Sequence, residues 1–159
     1  MAEEIFTAST ENLRDLKKQR KRICALVNRA IREKQDPDLI SLTKMYALLY
    51  SAYVETSFLK LIHTPKAFTE SEIIQIMAER NLEQKWLKCV DLAFNKLNTT
   101  NLGEVANKKQ TLHRLLQEYI IDPSQIRNKV AHGQWVYCLN NECTKVNHDT
   151  TALMANLDF

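Results

Sequence analysis

Glycine and proline are nearly absent, with two and three residues in a chain of 159. So few helix breakers exclude a turn-rich all-β fold and favour long helices, hence an all-α class. No segment approaches the ~20 consecutive apolar residues of a membrane span. The start, Met1-Ala2-Glu3-Glu4-Ile5, is acidic and has no apolar run of signal-peptide length. A cytoplasmic protein without a membrane partner is expected, with Cys24, Cys89, Cys138 and Cys143 as reduced thiols. Charge of one sign is also in short supply, because 22 Lys and Arg against 19 Asp and Glu leave only +3, too little to indicate nucleic acid by itself. There is no internal repeat and no low-complexity tract. What remains is an ordinary globular mixture, 45% hydrophobic and 26% charged, of a length that fits a single domain over residues 1–159. The abrupt end at Leu157-Asp158-Phe159 leaves room for the chain to be the N-terminal part of a longer one.

Periodicity divides the chain into a bundle of four to five helices with a short motif-bearing helix besides. The first is expected from about Thr10 to Lys34, capped by Ser9 or Thr10, with Leu13, Leu16, Ile23, Val27 and Ala30 or Ile31 as its inner stripe. Around that stripe stand nine cations against the three carboxylates Glu11, Asp15 and Glu33. The densest run holds Lys17, Lys18, Lys21 and Arg22. It is either a solvated face or a surface that tracks the phosphates of RNA. Asp36-Pro37 opens a second helix to about His63 that is apolar on most of its circumference and is therefore expected to be central. Within it Glu55 is either an exposed member of a polar stripe with Lys44, Ser51 and Lys60, or a partly buried carboxylate that needs a partner and could orient Arg127 or His132.

Thr64-Pro65 ends that helix, and Thr69 with Glu72 has the spacing of a capping box for the next. Asn81 is expected to interrupt it before a further helix over Leu82 to Leu97, whose Trp86 and Phe94 belong in the core. Asn98 to Gly103 makes a polar connection, and a helix follows to about Ile121 with His113 beside its inner stripe. Asp122 as cap, Pro123 at the first position and Gln125 as capping-box partner then open a short helix to His132, stopped by Gly133. A small hairpin is expected beyond it, Gln134 to Leu139 pairing with Cys143 to Val146 across Asn140-Asn141, before a last helix from Thr150.

The short helix carries the chemistry. Ile126 and Val130, four apart, pin it to a core, and Asn128 and His132, also four apart, share the adjacent face. Arg127 is about 140° around from His132, within reach of a long side chain at about 100° per residue. An arginine holds its charge at any physiological pH and can grip a phosphate with two hydrogen bonds. A histidine can accept or deliver a proton near neutrality. Asn128 can orient the imidazole or bind a non-bridging oxygen, and Lys129 adds a cation beside them.

Arg127, four intervening residues and His132, with Asn128 directly after the arginine, resembles the signature of HEPN-domain ribonucleases. The late position of this motif in a helical chain, and the Gly133-Gln134-Trp135 that follows, are similar to members of that superfamily. One variant of the family, found in toxins paired with nucleotidyltransferase-like antitoxins, has tyrosine two residues after the histidine; here that residue is Gln134. The resemblance implies a HEPN-like bundle and a homodimer whose two motifs form one composite site. It also implies endonucleolytic RNA cleavage without metal or cofactor, by attack of the 2′-hydroxyl on its own phosphate. With it go the roles of toxin or antiviral-defence effector and of a cognate antitoxin or regulatory protein as partner.

Besides a helical scaffold without nucleic acid, whose basic first helix is merely solvated, two alternatives stay open. One is a non-catalytic HEPN-like module that binds RNA, a nucleotide or a protein through the same basic surface. The other is a structural metal site built from Cys138, Cys143 and His148 with His132, although this spacing is not that of a standard zinc knuckle.

Overall fold

The computed structural model describes residues 2–97 and 101–156, and it is all-helical apart from turns. The helices are α1 (Ala2–Glu33), α2 (Asp36–Ile62), α3 (Glu70–Met77), α4 (Leu82–Asn95), α5 (Leu102–Leu116), α6 (Asp122–Ala131) and α7 (His148–Ala155). They form two compact units, one drawn from Met1–Leu13 and Val54–Asp122, the other from Arg14–Tyr53 and Pro123–Phe159. The expected end of the chain at Leu157 to Phe159, and the start of the polar connection at Asn98 to Thr100, lie outside the described residues.

Helix α1 begins well before the expected cap. Glu3 and Glu4 supply the negative charge that suits a first turn. Thr10 is helical and donates its hydroxyl to Phe6 O at 2.8 Å, and Ser9 is buried inside the helix, so neither acts as a cap. The end of α1 is a Schellman turn: Gln35 N–H reaches Ala30 O and Lys34 N–H reaches Ile31 O, with Lys34 in the left-handed region at φ 53°.

In the first unit, Phe58, Ile62, Ile76 and Cys89 form one buried cluster, and Val90, Leu116 and Ile121 another. Trp86 packs against both and meets the Phe58 ring at 4.9 Å between centroids, tilted by 56°. Phe94 packs against the second cluster. The capping box at Thr69 and Glu72 is complete, and the Glu72 carboxylate also accepts Lys96 Nζ at 2.8 Å. That ammonium, and then the Thr69 backbone N–H, hold the Glu72 carboxyl below its ordinary range. Asn81 caps α4 by accepting the N–H of Gln84, and Asn101 caps α5 by accepting that of Glu104. Gly103, expected in the connection, is the second residue of α5.

Helix α2 is less central than its apolar circumference suggests. Ser51, Val54, Phe58 and Ile62 are buried at helical spacing, whereas Ile40, Met45 and Leu61 are exposed; Ile40 lies five full turns from Phe58, at the same angle, so position along the helix as well as angle decides burial. Glu55 is exposed. Of the two readings of Glu55 the exposed one therefore holds and its partial burial is corrected, although it stands only about 20° around from the buried Ile62 at about 100° per residue.

The second correction concerns Asp122. It does not open an independent helix, because its backbone is already helical at φ −59° and ψ −47°. The preceding residues Gln117–Ile121 form a π turn, with Asp122 N–H donating to Gln117 O. Pro123 explains the wider turn: it has no N–H, and its ring would collide with the carbonyl four residues back in a regular α-helix. Gln117 Nε2 donates to Asp122 Oδ1 at 2.6 Å across it.

The expected hairpin is also absent as a hairpin. Among the described residues no strand forms, and a single antiparallel bridge joins Leu139 and Val146. Beside the bridge Asn140 N–H reaches Lys145 O and Asn147 N–H reaches Cys138 O, but the pairing goes no further, because the Cys138 N–H that would return a bond to Asn147 O goes to a side chain. Cys138 N–H donates to Thr151 Oγ1 at 2.9 Å and Leu139 N–H to Gln134 Oε1 at 2.7 Å. Asn140 Oδ1 accepts from both Thr144 and Lys145 N–H and so shapes the reversal.

Candidate functional site

The site is held by the second unit. Val130, 1% exposed, packs with Cys138 and Met154, and Leu48 and Ile126 close around them. Ile126 and Val130 thus anchor α6 as their four-residue spacing predicts. The helix ends in the same turn that closes α1. Gln134 N–H reaches Lys129 O at 2.9 Å and Gly133 N–H reaches Val130 O at 3.1 Å, with Gly133 at φ +78°. This left-handed residue leaves His132 as the cap just after Ala131, its N–H still reaching Asn128 O, and sends the chain back past the helix end.

That return makes one wall of an open cleft of about 1320 Å³. Asn128 and His132 lie together on its α6 side, both exposed. The side chains of both are without a hydrogen bond among the described residues, so both are available to a ligand. The cleft is also lined by Gln134 to Tyr137, Leu139 to Asn141, Cys143, Asn147 and Thr150. No aspartate or glutamate lines the cleft, although the chain has 19. An anion entering it meets no opposing carboxylate at its walls.

The other expected site residues are placed less uniformly. Arg127 is half-buried and is not among the cleft-lining residues. Lys129 lines the cleft, but its ammonium donates to Leu139 O at 2.6 Å and ties the returning chain to α6. Lys17, Lys18, Lys21 and Arg22 are exposed on the part of α1 that belongs to this same unit. Glu55 belongs to the first unit, beside a hollow lined by Phe58, Leu59, Met77, Leu82 and Lys85. His113 lies 3.6 Å from Asp91 Oδ1, which also faces Lys109 Nζ at 2.8 Å, an ordinary link between α4 and α5.

Among the described residues no three His, Cys, Asp or Glu side chains gather as a metal site. Cys138 is buried with its Sγ 3.8 Å from Met154 Sδ, while Cys143 is exposed.

The cleft also holds residues that the sequence pattern assigned to a strand. Trp135 is fixed from two sides: its indole N–H donates to Val130 O at 3.0 Å, and Lys44 Nζ lies 5.6 Å from its ring centroid. Lys44 Nζ also donates to Trp135 O. Tyr137 is 64% exposed. The legible signal was the density of amides and aromatics directly after Gly133, which the alternation of the same stretch concealed.

Compared with models of protein families, with curated proteins and with solved structures, the chain matches none.

Proposed function

We propose that the protein is an RNA endonuclease of the HEPN type, cleaving by 2′-hydroxyl transesterification. The observation that carries this reading is the pairing of Asn128 and His132, exposed side by side at a capped helix end, on a cleft without carboxylates. In the proposed step the 2′-oxygen attacks phosphorus and the bond from phosphorus to the 5′-oxygen breaks. The 2′-hydroxyl proton passes to a base, and the leaving oxygen takes a proton from an acid. The products are a 2′,3′-cyclic phosphate and a 5′-hydroxyl.

His132 serves as base or acid, Asn128 positions the imidazole or a non-bridging oxygen, and Arg127 stabilises the phosphorane charge. One motif offers one imidazole from its own helix, and two protons move. A homodimer with two motifs at one composite site supplies the second. The exposed Lys17, Lys18, Lys21 and Arg22 track the RNA backbone. A HEPN-like bundle, a cytoplasmic setting, a role as toxin or antiviral-defence effector and control by an antitoxin or regulatory protein belong to the same proposal.

The test is incubation of the pure protein with total RNA in EDTA, beside His132→Ala and Arg127→Ala. Cleavage leaving cyclic phosphate ends, lost in both variants at unchanged helical content, is the expected result. Equal cleavage by either folded variant would sink the assignment. A second reading, a non-catalytic RNA-binding module, draws on the half-burial of Arg127 away from the cleft-lining residues. It predicts RNA binding with no cleavage.

A further inference from the structure

We infer that the cleft beyond His132 is a subsite for an unpaired base of single-stranded RNA, with Tyr137 as the stacking platform. This rests on the proposal that the site is a nucleic-acid site and specifies what it holds.

Four observations converge. First, Tyr137 is 64% exposed while Trp86, Phe58 and Phe94 are packed in cores. An aromatic ring left open on a cleft wall offers a π-face, which every base can use. Second, the ring is presented by a segment that cannot shift easily. Leu139 N–H is held by Gln134, Leu139 O by Lys129, and Cys138 N–H by Thr151. Third, six of the lining side chains are amides. An amide carries a donor and an acceptor side by side, the pattern that matches the edge of a base. Gln134, Asn140 and Asn147 spend their oxygens on backbone N–H groups. Asn128 and Asn141 have no such bond among the described residues, which leaves both free to read a base edge. Fourth, the absence of lining carboxylates suits a polyanionic ligand and gives no handle to a basic peptide.

The preference for single strands follows from the geometry of base recognition. A base inside a duplex presents neither its face nor its pairing edge, so only an unpaired base can stack on Tyr137 and meet the amides together. Trp135, held by Val130 O and Lys44, is a fixed lining residue of the same cleft. His132, which lines the same cleft, is then the group for the sugar-phosphate of the seated nucleotide.

The experiment measures binding of a short fluorescently labelled single-stranded RNA of mixed sequence by anisotropy. It uses the full chain carrying His132→Ala, with Tyr137→Ala or Tyr137→Phe added. Tyr137→Ala should weaken binding about 5- to 100-fold, the range of one lost stacking contact. Tyr137→Phe should stay within about twofold, because the ring face is retained. The salt dependence should not change, since no phosphate contact is touched. Thermal unfolding of all three proteins should coincide, as Tyr137 is exposed. Unaltered affinity in Tyr137→Ala, an equal loss in Tyr137→Phe, or equally tight binding of the same sequence as a duplex overturns the inference. Failure of both the His132→Ala protein and the parent, the latter offered a 2′-O-methyl RNA that it cannot cut, to bind the single strand also overturns it. The two proposals fail separately. Tyr137-dependent binding in a protein that never cuts RNA refutes only the cleavage. Cleavage whose KM ignores Tyr137→Ala refutes only the subsite.

Discussion

Replacing Gly133 tests the local geometry on which the whole site depends. Its φ of +78° places it in the left-handed region, and a Cβ built there meets no atom within 4 Å. The cost of Gly133→Ala is therefore backbone strain alone, with no steric term. A left-handed conformation costs a non-glycine residue roughly 1–2 kcal/mol. Alanine also narrows the unfolded ensemble, which offsets roughly 0.4–1 kcal/mol. The net loss is about 1 kcal/mol, or roughly 2–4 °C in Tm for a protein of this size. Gly133→Asn should lose less than half of that, because asparagine tolerates the left-handed region. Circular dichroism at 222 nm during thermal unfolding would measure both. A Tm for Gly133→Ala at or above the parent, or equal losses for Ala and Asn, would refute the reasoning. The first would mean that the helix does not end on a left-handed residue. The second would mean that strain is not what the substitution adds.

Two further outcomes follow from buried titratable groups. His63 is 9% exposed, and burial lowers its pKa from the ordinary histidine value. The unfolded chain then binds a proton more readily than the folded one, so its stabilising share is present above about pH 6.5 and is lost as pH falls through the lower folded value. Chemical denaturation from pH 7.5 to 5 should show falling stability that is less steep in His63→Leu; an identical slope in the variant would assign the loss elsewhere. Burial pushes the Cys89 thiol up to about 11, whereas Cys143 is exposed. Iodoacetamide at pH 8 should therefore modify Cys143 early and Cys89 only on unfolding, and peptide mass spectrometry showing Cys89 first would contradict the packing around Phe58.

The chain alone determined the all-helical class, since five breakers in 159 residues cannot support a turn-rich sheet fold. It also determined the capping box at Thr69, the inward side of α6 at Ile126 and Val130, and the stop at Gly133, because each depends on residues within one or two turns. Its local rules misplaced the start of α1, where back-bonding threonines resemble caps, and the start of α6, where Asp-Pro resembles a cap but sits behind a π turn. Burial around α2 was beyond their reach, because an apolar circumference does not state which arc meets a neighbour. The cleft was decided only by tertiary structure. Its wall is held because the side chains of Thr151, Gln134 and Lys129 capture backbone groups of Cys138 and Leu139. The Tyr137 ring is left exposed on the same cleft as His132, a placement that neither alternation nor spacing contains.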